Sequence, residues 1–174
     1  MIQLYSLMWI LAVFFAVLGF LRGWNRELIG TAGIVLGMFA LFQFDALLRG
    51  ILLLSFPPEQ AFLIQLAIFF VIVFFAYQNR TFVTARRQDN LQESILGSVV
   101  GFFNGYLIGG AVWYFMDINE YPLAPYILAP AANSPSANHL GSIPIVIFSG
   151  GIGGSGDLLI GLVVVLVLVV LMAI

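Results

Sequence analysis

The chain has no cysteine and no lysine, and little charge of either sign: six cations, all arginine, against eight acids in 174 residues. Without cysteine there are no disulfides, thiolate metal sites or thioether haem attachments. Without lysine there is no phosphate-binding P-loop. The arginines are dispersed and form no basic groove for a nucleic acid. No serine or carboxylate has the neighbours that nucleophilic or acid–base catalysis requires, so no enzyme and no soluble substrate are expected. A soluble domain carries roughly a quarter of its residues as charges. Here 8% are charged and 62% hydrophobic, and mean hydropathy is +1.10. The surface must therefore face lipid or apolar protein, which makes this an integral membrane protein.

A bilayer core takes about 20 helical residues, with about 17 as a minimum. Five continuous apolar runs meet that length: Ile2–Leu21, Leu28–Phe44, Ala61–Tyr77, Ile95–Met116 and Leu158–Ile174. Continuity rather than alternation, and the need to satisfy backbone groups internally, make them helices. The opening residues lack the basic region of a signal peptide and run on too long for one, so the first run reads as a retained span. Asp45–Phe56 ends at Pro57-Pro58 and reads as a kinked extension of span two or an interfacial helix. Gln78–Glu93 is the most polar segment and reads as a loop or short surface helix. The fold class is an all-α membrane protein, a polytopic bundle of about five transmembrane helices with one long outer loop. Its parts are a four-helix membrane region at 1–116, a Pro/Gly-rich outer loop at 117–156 and an additional C-terminal span at 157–174.

Arg22 and Arg26 lie in the first turn, and Arg80, Arg86 and Arg87 follow span three. The opposite side holds Arg49 with Asp45, Glu59, Asp117, Glu120 and Asp157. The positive-inside rule then puts the N-terminus outside and the C-terminus inside a bacterial cytoplasmic membrane. The long loop, with five prolines, falls outside. It is too rich in proline to fold alone and is expected to dock on a partner.

Two blocks carry a family resemblance. The first is Gly19-x-x-Arg22-Gly23-x-x-Arg26-Glu27, followed by the helix that steps through Gly30, Gly33 and Gly37. The second runs from Leu96 to Gly109, with Gly97, Gly101, Gly105, Gly109 and Asn104. In this order the chain resembles the colicin V production protein family over about half its length. The resemblance implies a small inner-membrane protein linked to toxin export and the envelope, with no catalytic site. Two features depart from the family pattern. Asn104 stands where a basic residue is frequent, and a fifth apolar run follows the usual four spans.

The glycines every fourth residue from Gly97 to Gly109 share one helix face, and with Gly30, Gly33 and Gly37 they read as helix-packing seams, locked by Asn104. Arg22, Arg26, Glu27, Arg86 and Arg87 read as a cytoplasmic anchor that includes an Arg–Glu pair, or as a site for lipid headgroups or a partner's acidic surface. Asp45 and Arg49 are four apart and read as a surface pair, or as a half-buried pair beside water. Gly151-Ile-Gly153-Gly-Ser-Gly156 spells a dinucleotide fingerprint, but a membrane span follows it and no second strand remains, so it reads as a turn. His139, the only histidine, reads as a solvated loop residue.

With no cofactor implied, the expected function is a non-catalytic accessory subunit or assembly helper of a larger membrane complex, respiratory or photosynthetic, or a secretion and envelope helper. Its partners are membrane lipids and other membrane proteins or a second copy. The alternative is an oligomeric channel or transporter, against which the spans show no convergent set of ionisable residues.

Overall fold

The computed structural model describes residues 3–78, 91–151 and 153–173. Four helices in it are long and apolar enough to cross a membrane: α1 (Leu4–Arg22), α2 (Trp24–Gln43), α4 (Pro58–Gln78) and α5 (Leu91–Ile118). A short helical turn, α3 (Asp45–Leu47), leads from α2 into a π-helical turn at Leu48–Leu52, whose last bond joins the Leu53 amide to the Leu48 carbonyl. Beyond α5 come α6 (Pro135–Asn138), a 3-10 turn at Leu140–Ser142, α7 (Pro144–Ser149) and α8 (Asp157–Ala173). The fifth apolar run is α8, of 17 residues. Among the described residues there is no strand, and the chain is an all-α membrane bundle.

α2, α4, α5 and α8 begin earlier than their apolar runs do. α2 starts at Trp24 and takes Arg26 and Glu27 into its first turn, and α5 starts at Leu91 and includes Glu93. Helical propensity and the backbone's own hydrogen bonds extend a helix past the edge of its hydrophobic stretch. The turn between α1 and α2 shrinks to Gly23 alone. Its φ of 82° lies where side-chain-bearing residues are strained, and its amide donates to the Gly19 carbonyl at 2.8 Å. Arg80, Arg86, Arg87 and Asp89 lie outside the described residues.

α5 is the axis of the bundle. α1 packs along one side of it, and α2 along another with α4 beyond; α1 and α2, neighbours in sequence, barely touch. α8 lies against α2 and α7. In lipid the close approach of backbones supplies most of the packing energy, and α5 provides for it. A Cβ on Gly97, Gly101 or Gly105 would strike backbone atoms of α1 at Gly19, Phe15 or Leu11, and one on Gly109 would press on Met8 at 3.1 Å. Gly30, Gly33 and Gly37 face α4 instead, against Tyr77, Ala76 and Phe69.

The segment after α5 differs from the expectation of a loop held by a partner. It docks on its own chain. Ser134 caps α6 by accepting from the Ala137 amide at 3.1 Å, with Pro135 at the first helical position. The Ser136 hydroxyl accepts from the Tyr5 amide, one of the unpaired donors at the start of α1, and Tyr106 donates to the Ser142 carbonyl at 2.7 Å. Pro144 starts α7 and rests on Gly110, while Ile143 and Ile145 are buried in the bundle core. The prolines fix turns and helix starts here. Gly156 then turns the chain into α8 with φ of 85°, and a Cβ there would meet the Phe42 ring.

Candidate functional site

Two polar clusters sit at opposite ends of this bundle. The first is built around Glu27, a carboxylate with no exposed surface. It stands in the first turn of α2, where backbone amides have no intrahelical acceptor. Glu27 Oε2 accepts from the Tyr77 hydroxyl of α4 at 2.8 Å and from Asn104 Nδ2 of α5 at 2.9 Å. The Asn104 amide also reaches the Glu27 backbone carbonyl at 2.9 Å and the Tyr77 oxygen at 3.1 Å. Asn104 Oδ1 accepts from the Thr31 hydroxyl at 2.7 Å, and that hydroxyl lies 2.9 Å from the Glu27 carbonyl as its alternative acceptor. Arg22, ending α1, places Nη1 3.7 Å from Glu27 Oε1 and its guanidinium 5.1 Å from the centre of the Tyr77 ring. Oε1 itself is buried with no hydrogen bond among the described residues. All four long helices therefore contribute a side chain to one cluster.

This corrects two readings of the sequence. Glu27 is not part of a surface anchor, because α4 and α5 close over it. Nor are the spans without convergent ionisable groups, since Glu27, Tyr77 and Arg22 meet around Asn104. Arg26, by contrast, is exposed and joins none of the contacts described. Arg86 and Arg87 fall outside the described residues.

The second cluster lies at the other end, where α2 runs into the π-helical turn. Arg49 grips Asp45 with two bonds, Nε to Oδ1 at 2.6 Å and Nη2 to Oδ2 at 2.7 Å. Its Nη1 donates to the Ile118 carbonyl at 2.7 Å, supplying a donor to the C-terminal end of α5. The bond to Asp45 outweighs burial and holds the Arg49 proton more tightly than usual. Gln65 of α4 donates to Asp45 Oδ1 at 3.4 Å, and Asn119 donates to Gln65 Oε1 at 2.6 Å and to the Phe115 carbonyl at 2.7 Å. The Asp45–Arg49 pair is thus half-buried and tied to two further helices. Tyr121 follows, donating to Asp117 at 2.8 Å and accepting from the Trp113 indole at 3.3 Å; burial pushes its phenol up, so it stays a donor.

Among polar residues that the sequence brings to notice, Gln43 is exposed and outside both clusters. His139 stacks on Tyr5 with ring centres 4.3 Å apart. Thr31, Tyr77 and Asn119 carry no sequence signal that marks them as partners. Thr31 and Tyr77 lie within α2 and α4 and Asn119 just past the end of α5, and only the register of the packed helices brings each to its partners.

Between the clusters lies a sealed apolar layer. On α2 it is Ile34, Met38 and Leu41; on α4, Phe69 and Val73; on α5, Ile108, Ala111 and Phe115; all are buried. Along α2 the two clusters are separated by the 18 residues from Glu27 to Asp45, or about 27 Å of helix.

When the chain is compared with known proteins, the family model described as colicin V production protein matches residues 6–143. No curated protein and no solved structure matches.

Proposed function

The chain belongs to the colicin V production protein family, the match covering residues 6–143 of its 174, and on that footing we propose that this secretion- and envelope-related membrane helper works by contact, as a non-catalytic and non-conducting subunit. The observation that carries the reading is the closed polar chemistry of the bundle. Among the described residues each cluster directs its hydrogen bonds to its own members and to nearby backbone, and the apolar layer leaves no polar path from one to the other. Ion or proton conduction needs such a path, and catalysis needs a nucleophile, base and orienting group brought together, which neither cluster presents among the described residues. The clusters tie helices together and hold their outer faces in fixed positions toward lipid and neighbouring membrane proteins.

Reconstituted into liposomes, the purified chain should give no ion flux above empty vesicles. A selective, saturable flux abolished by changing Asn104 or Asp45 would establish a channel instead. In cells the chain should cross-link to larger membrane proteins.

We also propose that the end bearing Arg22 and Arg26 faces the cytoplasm, with the N-terminus outside. The support is the five-to-one division of arginines between the two ends. Cysteines introduced at Arg86 and Asn138 should label from opposite sides of the membrane, Asn138 from outside. Labelling of both from one side would overturn this topology.

A further inference from the structure

A cavity of about 330 Å³ opens beside the second cluster, between the end of α5 and the docked segment. That is at the lower end of the range for small-ligand sites. Apolar side chains make most of its wall, among them Phe42, Ile118, Ile143 and Val146. Tyr114 and Asp117 add an aromatic ring and a carboxylate one helical turn apart on α5. Asp117 is exposed, and its Oδ1 accepts from Tyr121, leaving Oδ2 without a partner among the described residues. The Tyr114 hydroxyl likewise has no hydrogen bond to them. Gly151, Gly153 and Gly154 add backbone to the lining.

We propose that this cavity binds an amphipathic cation: a protonated amine or quaternary ammonium joined to a short apolar body. Three features fit that chemistry together. The carboxylate supplies a charge-assisted acceptor at the rim. Phe42 and Tyr114 add aromatic rings to the lining, and the face of such a ring attracts a cation. The surrounding end of the bundle carries Asp45, Glu59, Asp117, Glu120 and Asp157 against Arg49, and Arg49 is already matched by Asp45. An anion would meet net repulsion there, and a neutral body would leave Asp117 unused. The inference stands or falls independently of the contact role. Two sources supply such a cation, the ammonium headgroup of a membrane lipid and a free hydrophobic amine.

The test uses the whole chain in an uncharged detergent. Phenethylamine, its neutral counterpart 2-phenylethanol, and short-chain phosphatidylethanolamine and phosphatidylglycerol are titrated by ligand-observed NMR. Phenethylamine should bind saturably and about tenfold more tightly than the alcohol, as expected for one charge-assisted contact. Asp117→Asn should remove that preference, whereas Glu120→Gln should keep it. Leu140→Trp, which fills the cavity from the docked segment, should abolish binding of both aromatic probes and gives a second readout if Asp117→Asn does not fold. Phosphatidylethanolamine displacing phenethylamine where phosphatidylglycerol does not would identify the source as lipid. Failure of both lipids to displace it would identify a free amine. Equal binding of amine and alcohol, or an amine preference that survives Asp117→Asn, would overturn the proposal.

Discussion

Replacing Asn104 with Leu should lower the unfolding free energy by about 3 kcal/mol, because it strips hydrogen bonds from a buried carboxylate and exceeds the cost of losing a neutral pair. Asn104 is fully buried and donates to both the side chain and the backbone carbonyl of Glu27. Leucine fits the volume but leaves Glu27 Oε2 with Tyr77 alone and Thr31 without its side-chain acceptor. Ordinary interhelical hydrogen bonds in membranes contribute only about 0.6 kcal/mol; the figure is higher here because one amide serves two acceptors of the fully buried Glu27. Removing both partners should hurt less than the sum of the parts, since an apolar pair leaves no orphaned group. Titration of Asn104→Leu, Glu27→Leu and the double variant with sodium dodecyl sulfate in mixed micelles measures that coupling. Additive losses would show that Asn104 and Glu27 do not depend on each other.

The second large effect belongs to the seam between α1 and α5. Gly101→Leu or Gly105→Leu should destabilise the fold by about 1–3 kcal/mol, as overpacking does, and push α1 away from α5. The first atoms a side chain would meet are the carbonyls of Phe15 and Leu11. These are backbone of a straight helix and cannot turn aside as a side chain would. Gly161 on α8 has nothing within 4 Å of an added Cβ, so Gly161→Leu serves as the neutral control. A disulfide between cysteines at Met8 and Gly109 reports the seam directly, and its formation should fail in the Gly101 and Gly105 variants. Equal stability of all three leucine variants would mean that α1 and α5 are not closely packed.

How much of this was readable in the residues depends on the kind of signal. The spans follow from continuous apolar runs, and four of them form long helices within a few residues of the run boundaries. The glycines at every fourth position of α5 define a face, but periodicity alone does not say which helix meets it. The meeting of Gly97 through Gly109 with α1, and of Gly30 through Gly37 with α4, is a tertiary fact. Glu27 was legible only as a charge near an arginine, because a residue at the edge of an apolar run looks the same whether it points to water or inward. What turns it inward is the packing of the helices, which sets Asn104 of α5 and Tyr77 of α4 against it. The segment after α5 looked unable to fold because proline and glycine were counted as breakers. Spaced as they are at Pro135, Pro144 and Gly156, they start and redirect short helices that the bundle then holds.

The position of α5 between α1 and α2 has a consequence for how the chain is made. α1 ends at Arg22 and its one extensive packing surface begins at Leu91. Ribosomes add about 5–20 residues per second, so the first helix enters the bilayer several seconds before its mate is synthesised. During that time it cannot form a hairpin with α2, because the two share almost no surface. The nascent first helix must be held by lipid or by the insertion machinery, with its glycine and alanine positions unfilled, until the central helix arrives and slides between its elder neighbours.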